Sequence, residues 1–460
     1  MNPRLLVLAG LLLAAAPASA QDPTGPTGSG TSGGGTSTSS QDPSNVRAVV
    51  TDVLGAVMTG PSWNLGVSLF GGYNQSSLSN TSAATGALGS FVRNGVTAGA
   101  NTQLSTSASF RRISFGLGGG TSTNYFRATD RFMTSTNVRA NQSLRLGRRT
   151  TLTAGETVFI APYYALNQFL GLQDFSGTDM LMPAQGTIDT ALGDARQYRY
   201  TGMLQFNHPI TDRTSFSAQY SLDMASLDTA RPNQTFQNAG FRFSHMLSAG
   251  FGYHLGYGYG IASFQGVTNT NAFHNIDVGL SMNRALSITR RTKFSFSTGT
   301  TINRNGVVGA SGSAATPVNA PTNTTFNLIG QANLTHNIAR SWNARIAYGR
   351  TWQIINGTYT PFLGNAVTGG ISGGLTTRTV LGSNVSYLLR GSQGNLGAGT
   401  GHAVAVNTFL NFRVTTALAG YVQHGYYRQQ FDLSQTGLNL PQRFSRNTVR
   451  AGLTLAVRSR

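Results

Sequence analysis

The chain has 460 residues, no cysteine, 57 glycines and only 10% charged residues, and its 33 basic against 14 acidic side chains give a formal net charge of +19. The lack of cysteine excludes a disulfide scaffold, a thiolate metal site and an attached c-type haem, and a hydrophobic content of 39% excludes disorder of the whole chain. Because soluble domains average about 25% charged residues, the composition favours a fold in which little surface meets plain water.

The first segment, residues 1–20, has the pattern of a secretory signal peptide. Arg4 forms the basic start, Leu5 to Ala16 form the apolar core, and Ala18-Ser19-Ala20 matches a small-residue cleavage site. Its apolar run is shorter than the ~20 residues that a membrane-spanning helix needs. We therefore expect cleavage before Gln21.

Two further segments precede the main domain. Residues 21–44 are rich in Gly, Ser, Thr and Pro, and are predicted to be a linker. In residues 45–60, valine and leucine recur at helical spacing before Gly60-Pro61, which predicts a short amphipathic helix. This helix either plugs or docks to the domain that follows, or simply packs beneath it.

Residues 61–460 show the two-residue period of β-strands. In a clear example, one face of a strand would carry Phe251, Tyr253, Leu255, Tyr257, Tyr259 and Ile261, while the other carries glycine and histidine. Apolar residues on one face and polar residues on the other suit a wall between lipid and water. Lipid-facing tyrosines are expected near the membrane interfaces, and we assign to this group Tyr198, Tyr200, Tyr257, Tyr259, Tyr426 and Tyr427.

Short connections alternate with longer ones along this domain. The short ones lie near residues 111–112, 147–150, 209–213, 248–249, 284–292, 338–341, 376–378 and 413–415, and the longest of the others is expected from about Ala161 to Gln197. Eight hairpins with one more strand at each end predict about 18 strands, within a range of about 16–20. The fold class is therefore all-β, a transmembrane up-and-down antiparallel β-barrel.

Two other all-β folds fit the sequence less well. A soluble array of β-sandwiches would carry many lysines and glutamates on its outer face, whereas this chain has one of each. A parallel β-helix would show a fixed short repeat, and none is found in the sequence.

The C-terminal segment Arg450-Ala451-Gly452-Leu453-Thr454-Leu455-Ala456-Val457 resembles the last-strand signal of Gram-negative outer-membrane proteins. The four defined positions of that signal would be filled by Arg450, Gly452, Leu455 and Val457. The family usually ends on Phe or Trp, whereas this chain continues through Arg458-Ser459-Arg460. The resemblance implies residence in the outer membrane of a Gram-negative bacterium, with the barrel insertion machinery and outer-membrane lipid as partners.

Arginines are concentrated in the short connections, which the barrel class places on the periplasmic side. This set comprises Arg111, Arg112, Arg148, Arg149, Arg213, Arg290, Arg291, Arg340, Arg378 and Arg413. They either contact anionic phospholipid headgroups, which attract basic side chains, or form a docking rim for an acidic periplasmic export partner.

The polar parity of the strands assigns a second charged set to the lumen. It contains Arg139, Arg145, Arg199, Arg242, Lys293, Arg345, Arg446 and Arg450, with Asp223 and Asp277 on the same face. Rings of basic side chains favour anions in a pore, although the same charges could simply be a solvated wall.

Several acidic residues need separate treatment. Glu156 shares the lipid-facing parity of Leu152 and Val158. Three explanations are open: a bulge that re-aims it, a place near a membrane interface, or a different register. In the longest loop Asp174, Asp179, Asp189 and Asp194 could gather Ca²⁺, but their spacing matches no loop motif and they are better explained as solvated acids.

The seven histidines form no close metal-ligand pair, and His245 and His254 flank one turn on opposite parities. We therefore expect no enzyme, no cofactor and no metal site, and because the basic residues are spread rather than clustered, no nucleic-acid partner. The predicted function is a channel that passes small polar or anionic solutes through a weakly basic lumen. Two alternatives are a polysaccharide-export or secretion barrel, and a structural or sheath barrel without an open pore.

Overall fold

A computed structural model of the protein describes residues 62–79, 94–128, 130–164, 191–227, 233–264, 271–286, 291–305, 323–338, 341–354, 361–390, 401–431 and 443–458. The predicted signal peptide, linker and N-terminal helix lie outside these residues. Among the residues described, no helix has the length and apolar character needed to cross a membrane.

The described chain forms 18 strands joined in one sheet. In chain order they are β1 (Ser62–Ser79), β2 (Gly95–Phe110), β3 (Ile113–Phe126), β4 (Arg131–Arg145), β5 (Thr151–Tyr164), β6 (Ala191–Pro209), β7 (Thr214–Leu227), β8 (Gln234–Ser248), β9 (Phe251–Phe264), β10 (Asn271–Ala285), β11 (Thr292–Asn305), β12 (Asn323–Asn337), β13 (Trp342–Ile354), β14 (Pro361–Gly374), β15 (Thr379–Arg390), β16 (Gly401–Arg413), β17 (Leu418–Phe431) and β18 (Arg443–Arg458).

Each strand pairs antiparallel with its neighbours in the chain, and β1 closes the sheet by pairing with β18 from Asn64↔Arg458 to Ser79↔Arg443. Closure removes every unpaired sheet edge, which satisfies the backbone in a medium without water. The predicted up-and-down barrel and its 18 strands are confirmed.

The strands form where the two-residue period is regular, and this period gives the barrel two different faces. On the outer face large apolar side chains stay exposed, among them Leu69 at 63%, Phe132 at 71% and Phe326 at 68%. On the inner face of the same strands lie Ser68, Met133 and Asn327, which are buried. Apolar side chains without protein neighbours on the outside of a closed sheet form a surface suited to lipid.

Eight short connections lie at one end of the barrel, as predicted, and we call this end the short-turn end. Three of them are held by a threonine whose hydroxyl oxygen accepts backbone N–H groups two and three residues later. Thr376 accepts from Arg378 at 3.1 Å and from Thr379 at 3.0 Å. Thr211 and Thr415 repeat this arrangement.

The opposite end departs from the predicted pattern in two places. Only residues 127–130 join β3 to β4, so this connection is as short as those at the other end. Tyr125 Oη donates to Asp130 Oδ1 at 2.8 Å across it, and Asp130 adopts a positive φ of 48°. The longest connection is shorter than expected, because β5 continues to Tyr164 and β6 begins at Ala191.

Because β6 begins at Ala191, not all four aspartates predicted for the longest connection lie in it. Asp194 belongs to strand β6 rather than to a loop. Asp174, Asp179 and Asp189 lie outside the described residues.

The sequence assigns the adjacent tyrosines 426 and 427 of β17 to the outer face, and only one of them lies there. Tyr426 lies on the outer face of β17, but the lipid-facing assignment of Tyr427 is wrong, because adjacent residues of a strand point to opposite faces. Tyr427 is fully buried on the inner face, with its ring centroid 5.9 Å from that of Phe444.

Glu156 keeps its outward parity. Pairing of β5 with β6 runs without a shift from Thr151↔Asn207 to Pro162↔Arg196, so a bulge or a different register does not explain this residue. Its cross-strand neighbours are Ala140 and Gly202, which carry little or no side chain.

Candidate functional site: the inner wall of the barrel

All ten charged residues that the sequence assigns to the lumen have the inner-face parity of their strands. The structure brings some of them into ion pairs and leaves others apart. Three groups result: an ion cluster on β8–β10, a separate ion pair on β6 and β7, and cations elsewhere on the wall.

The ion cluster joins Arg242 of β8, His254 of β9 and Asp277 of β10. Arg242 Nε donates to Asp277 Oδ2 at 2.7 Å, and its Nη2 contacts the same oxygen. His254 Nε2 lies 3.1 Å from Asp277 Oδ1. The side chains are 12% exposed for Arg242, 3% for His254 and 6% for Asp277, so these polar groups depend on one another rather than on water.

Glycine makes this cluster possible, because Arg242 and Asp277 are not on neighbouring strands. Gly256 lies between them in the same row, paired with Arg242 on one side and with Asp277 on the other. Without a side chain there, the guanidinium can cross β9. A Cβ at Gly299 would lie 2.6 Å from Asp277 Oδ1, and one at Gly279 would lie 2.8 Å from His254 Nε2.

The second ion pair links neighbouring strands directly. Arg199 donates from Nε to Asp223 Oδ1 at 2.9 Å and from Nη2 to Oδ2 at 2.8 Å. This two-point geometry is the strong form of an arginine–carboxylate contact. Both aspartates predicted for the lumen are thus engaged by arginines of the same wall.

Two arginines of β18 are buried beside aromatic rings. Arg446 is 1% exposed, donates from Nε to Ser76 Oγ at 3.0 Å, and has its Cζ 5.0 Å from the centroid of the Phe444 ring. Arg450 is 5% exposed, with its Cζ 5.0 Å from the Phe70 centroid. The aromatic face attracts each cation.

The remaining lumen cations are more accessible. Lys293 of β11 is exposed, and Arg139 and Arg145 of β4 are half-buried. Arg345 of β13 is half-buried and donates from Nε to Asn333 Oδ1 at 2.8 Å. These four side chains are more exposed than the buried arginines of β18.

The turn arginines that the structure describes lie at the short-turn end. Exposed positions there are Arg111, Arg112, Arg148, Arg149, Arg213, Arg291 and Arg378, and Arg413 is the last residue of β16. Arg290 and Arg340 lie outside the described residues. Arg149 is held in place, because its Nη1 donates to Ile210 O of the neighbouring connection at 3.0 Å.

The four residues of the C-terminal signal all belong to β18, the strand that closes the barrel. Arg450 and Gly452 have inner-face parity, and Leu455 and Val457 lie on the outer face, where they are exposed by 48% and 43%. The alternation of the signal therefore follows the two faces of the closing strand.

No group of three or more metal-ligating side chains occurs in the part of the chain that the structure describes. His254 has inner-face parity, whereas His245 belongs to the outer face, as their opposite parities predict. Sequence reasoning missed the link between His254 and Asp277, because the pattern along one strand gives no partner on the next.

No protein-family model and no curated protein matches the chain. Among solved structures, the outer-membrane protein OpdK from Pseudomonas aeruginosa is similar at 9% identity and a TM-score of 0.42, covering 88% of this chain and 100% of that one. OccK11 (OpdR) from the same organism is similar at 10% identity and a TM-score of 0.42, and the match covers 87% of this chain and 96% of that one. The FrpB iron transporter from Neisseria meningitidis is similar at 8% identity and a TM-score of 0.44, and the match covers 89% of this chain and 84% of that one.

At these identities the likeness is one of fold. The sheet of this protein is closed, its outer face is apolar and exposed, and its inner face is polar and charged. The chain therefore has the fold of a closed, antiparallel 18-strand transmembrane β-barrel.

Proposed function

We propose that the protein is a diffusion channel of the outer membrane for small polar or anionic solutes. The observation that carries this proposal is the charge distribution of the inner wall. Asp223 and Asp277 are each engaged by an arginine, while Lys293, Arg139 and Arg145 stay accessible. The accessible charge among these residues is therefore basic.

The size of the barrel supports this function. Barrels of about 16–18 strands enclose an aqueous channel rather than a packed core. Basic side chains along such a channel lower the energy of an anion and raise that of a cation.

The surroundings of the channel follow from the same proposal. The short-turn end would face the periplasm, where its arginines would meet phospholipid or an acidic export partner. β18 would present the last-strand signal to the insertion machinery. An inner wall of this kind suits transport, and we propose no enzymatic activity and no nucleic-acid partner for it.

The first test is single-channel recording in planar bilayers, with the reversal potential measured under a KCl gradient. We expect stable conductance steps and a preference for chloride over potassium. A preference for potassium would contradict the basic lumen. A barrel that inserts without conducting would contradict the channel and favour the structural sheath.

Paired variants sharpen the test of selectivity. Arg139→Gln with Lys293→Gln removes two accessible lumen charges, and we expect the chloride preference to fall by about twofold or more. Arg428→Gln is the matched control, because Arg428 is an exposed arginine on the outer face of β17. Equal effects of the two changes would show that the lumen charges do not select ions.

Removal of residues 21–60 tests the predicted helix. A larger conductance without this segment would support a plug, whereas an unchanged conductance would support simple packing. Passage of an anionic polysaccharide, measured with vesicle-reconstituted protein, would favour the export alternative over small-solute diffusion.

A further inference from the structure

One arrangement recurs three times on the outer face at the short-turn end. A threonine contacts a histidine on the neighbouring strand, through its hydroxyl oxygen and the histidine Nδ1. The threonine is either the last residue of a short connection, as at Thr150, or the first residue of the strand that follows, as at Thr214 and Thr292. The pairs are Thr150 with His208 at 2.8 Å, Thr214 with His245 at 2.9 Å, and Thr292 with His336 at 2.8 Å.

Each of these threonines follows an exposed arginine in the sequence. The three dipeptides are Arg149-Thr150, Arg213-Thr214 and Arg291-Thr292. The arginine backbone is fixed to the same neighbouring strand, since Met246 N donates to Arg213 O at 2.7 Å and Asn337 N donates to Arg291 O at 2.9 Å. In the first repeat the equivalent position is Pro209, which has no N–H, and the Arg149 guanidinium donates to Ile210 O instead.

A fourth repeat keeps the backbone but lacks the histidine. Arg378-Thr379 has the same place at the end of a short connection, and Arg413 N donates to Arg378 O at 2.8 Å. Thr379 is paired with Phe412 where the other repeats have histidine. The chain therefore contains its own aromatic control for the three histidines.

The position of the three histidines indicates what they meet. They lie where the apolar outer surface ends, at the short-turn end of the barrel. Outer-face aromatic rings are close to two of them: the His208 ring centroid is 6.4 Å from that of Phe206, and the His245 ring centroid is 5.5 Å from that of Tyr253. Just beyond them come the exposed arginines of the connections. In a bilayer this boundary coincides with the phosphate groups of the lipids.

We propose that each Arg-Thr/His repeat binds the phosphate of an anionic phospholipid. When the threonine hydroxyl donates to Nδ1, the ring proton resides on Nε2, which can then donate to a phosphate oxygen. The preceding arginine adds a cation that attracts the same anion. The site is an interaction surface for lipid and rests on the proposed place of this end in a phospholipid leaflet.

The test counts lipids on the full mature barrel by native mass spectrometry, with phosphatidylglycerol or phosphatidylcholine added to the detergent. We expect the wild type to retain up to three phosphatidylglycerol molecules and fewer phosphatidylcholine molecules. The variant His208→Phe/His245→Phe/His336→Phe should lose most of this retention, about tenfold in the population that carries three lipids. His274→Phe/His402→Phe, which changes outer-face histidines at the opposite end, should leave it unchanged.

The reciprocal change, Phe412→His, should add one phosphatidylglycerol molecule, because the fourth repeat already has its arginine and threonine. Unchanged retention in the triple variant, or no added lipid with Phe412→His, would overturn the proposal. Lipid counting does not depend on conductance. A barrel that conducts no ions would thus contradict the channel and leave the lipid site standing.

Discussion

Two sectors of the inner wall bury arginine in different ways. On β8–β10, Arg242 is neutralised by Asp277, which also contacts His254. On β18, Arg446 and Arg450 lie beside the rings of Phe444 and Phe70. In the first sector a carboxylate compensates the arginine charge, whereas in the second each arginine cation lies over an aromatic ring.

The ion cluster and the arginine–ring contacts should respond differently to substitution. Removing the carboxylate of a buried ion cluster leaves its arginine charged and without compensation, which is costly. Removing an arginine that lies over a ring leaves no carboxylate behind without its partner, so the loss is that of the arginine's own contacts, such as the attraction to the ring. The same residue type should therefore contribute more to stability in the first sector than in the second.

The largest expected effect comes from Asp277→Ala. This change leaves Arg242 and His254 nearly buried without their carboxylate, and we expect the free energy of unfolding to fall by about 3–5 kcal/mol. Chemical denaturation in phospholipid vesicles measures it. Asp212→Ala is the control, because this carboxylate is exposed in a short connection and its loss should cost under about 0.5 kcal/mol. Similar losses in both variants would mean that the cluster is not special.

A smaller effect is expected from Gly299→Ala. The new Cβ would lie 2.6 Å from Asp277 Oδ1, so the carboxylate must shift away from its partners. We expect a loss of about 1–3 kcal/mol in the free energy of unfolding. Gly116→Ala on β3 is the matched control, because a Cβ there would have no neighbour within 4 Å. If both changes cost the same, the effect belongs to the strand backbone and not to the cluster.

The smallest effect on stability is expected from Arg450→Gln. The variant loses the attraction to the Phe70 ring, which we expect to cost about 1–2 kcal/mol in the free energy of unfolding. A double-mutant cycle with Phe70→Leu isolates this attraction, with an expected coupling of about 0.5–2 kcal/mol. A loss as large as that of Asp277→Ala would remove the distinction between the two sectors.

Much of the barrel could be predicted from the sequence because the period of a strand is local. The alternation around Tyr257 places its side chain outside without knowledge of any other strand, and the short connections give the strand number. The error at Tyr427 has the same origin, since two adjacent tyrosines cannot share a face. The short connection between β3 and β4 was missed because it contains no distinctive turn motif.

The candidate site could be predicted only in part. Parity assigned Arg242 and Asp277 to one face, but their contact crosses the intervening strand at Gly256. The threonine–histidine pairs were missed for a similar reason: Thr150 and His208 are far apart in sequence, and each looks ordinary on its own strand. A repeated Arg-Thr dipeptide at the end of the short connections was the available signal.

The sequence by itself determined the two faces of the wall, the all-β class and the number of strands, because the alternation of side chains and the turn residues act within one hairpin. Only the tertiary structure decided which charges neutralise each other. The register of neighbouring strands, and the glycines that open space between them, set the distances between side chains. Electrostatic interactions weaken with distance and with exposure to water. Which charges interact is therefore decided only when the strands are placed side by side.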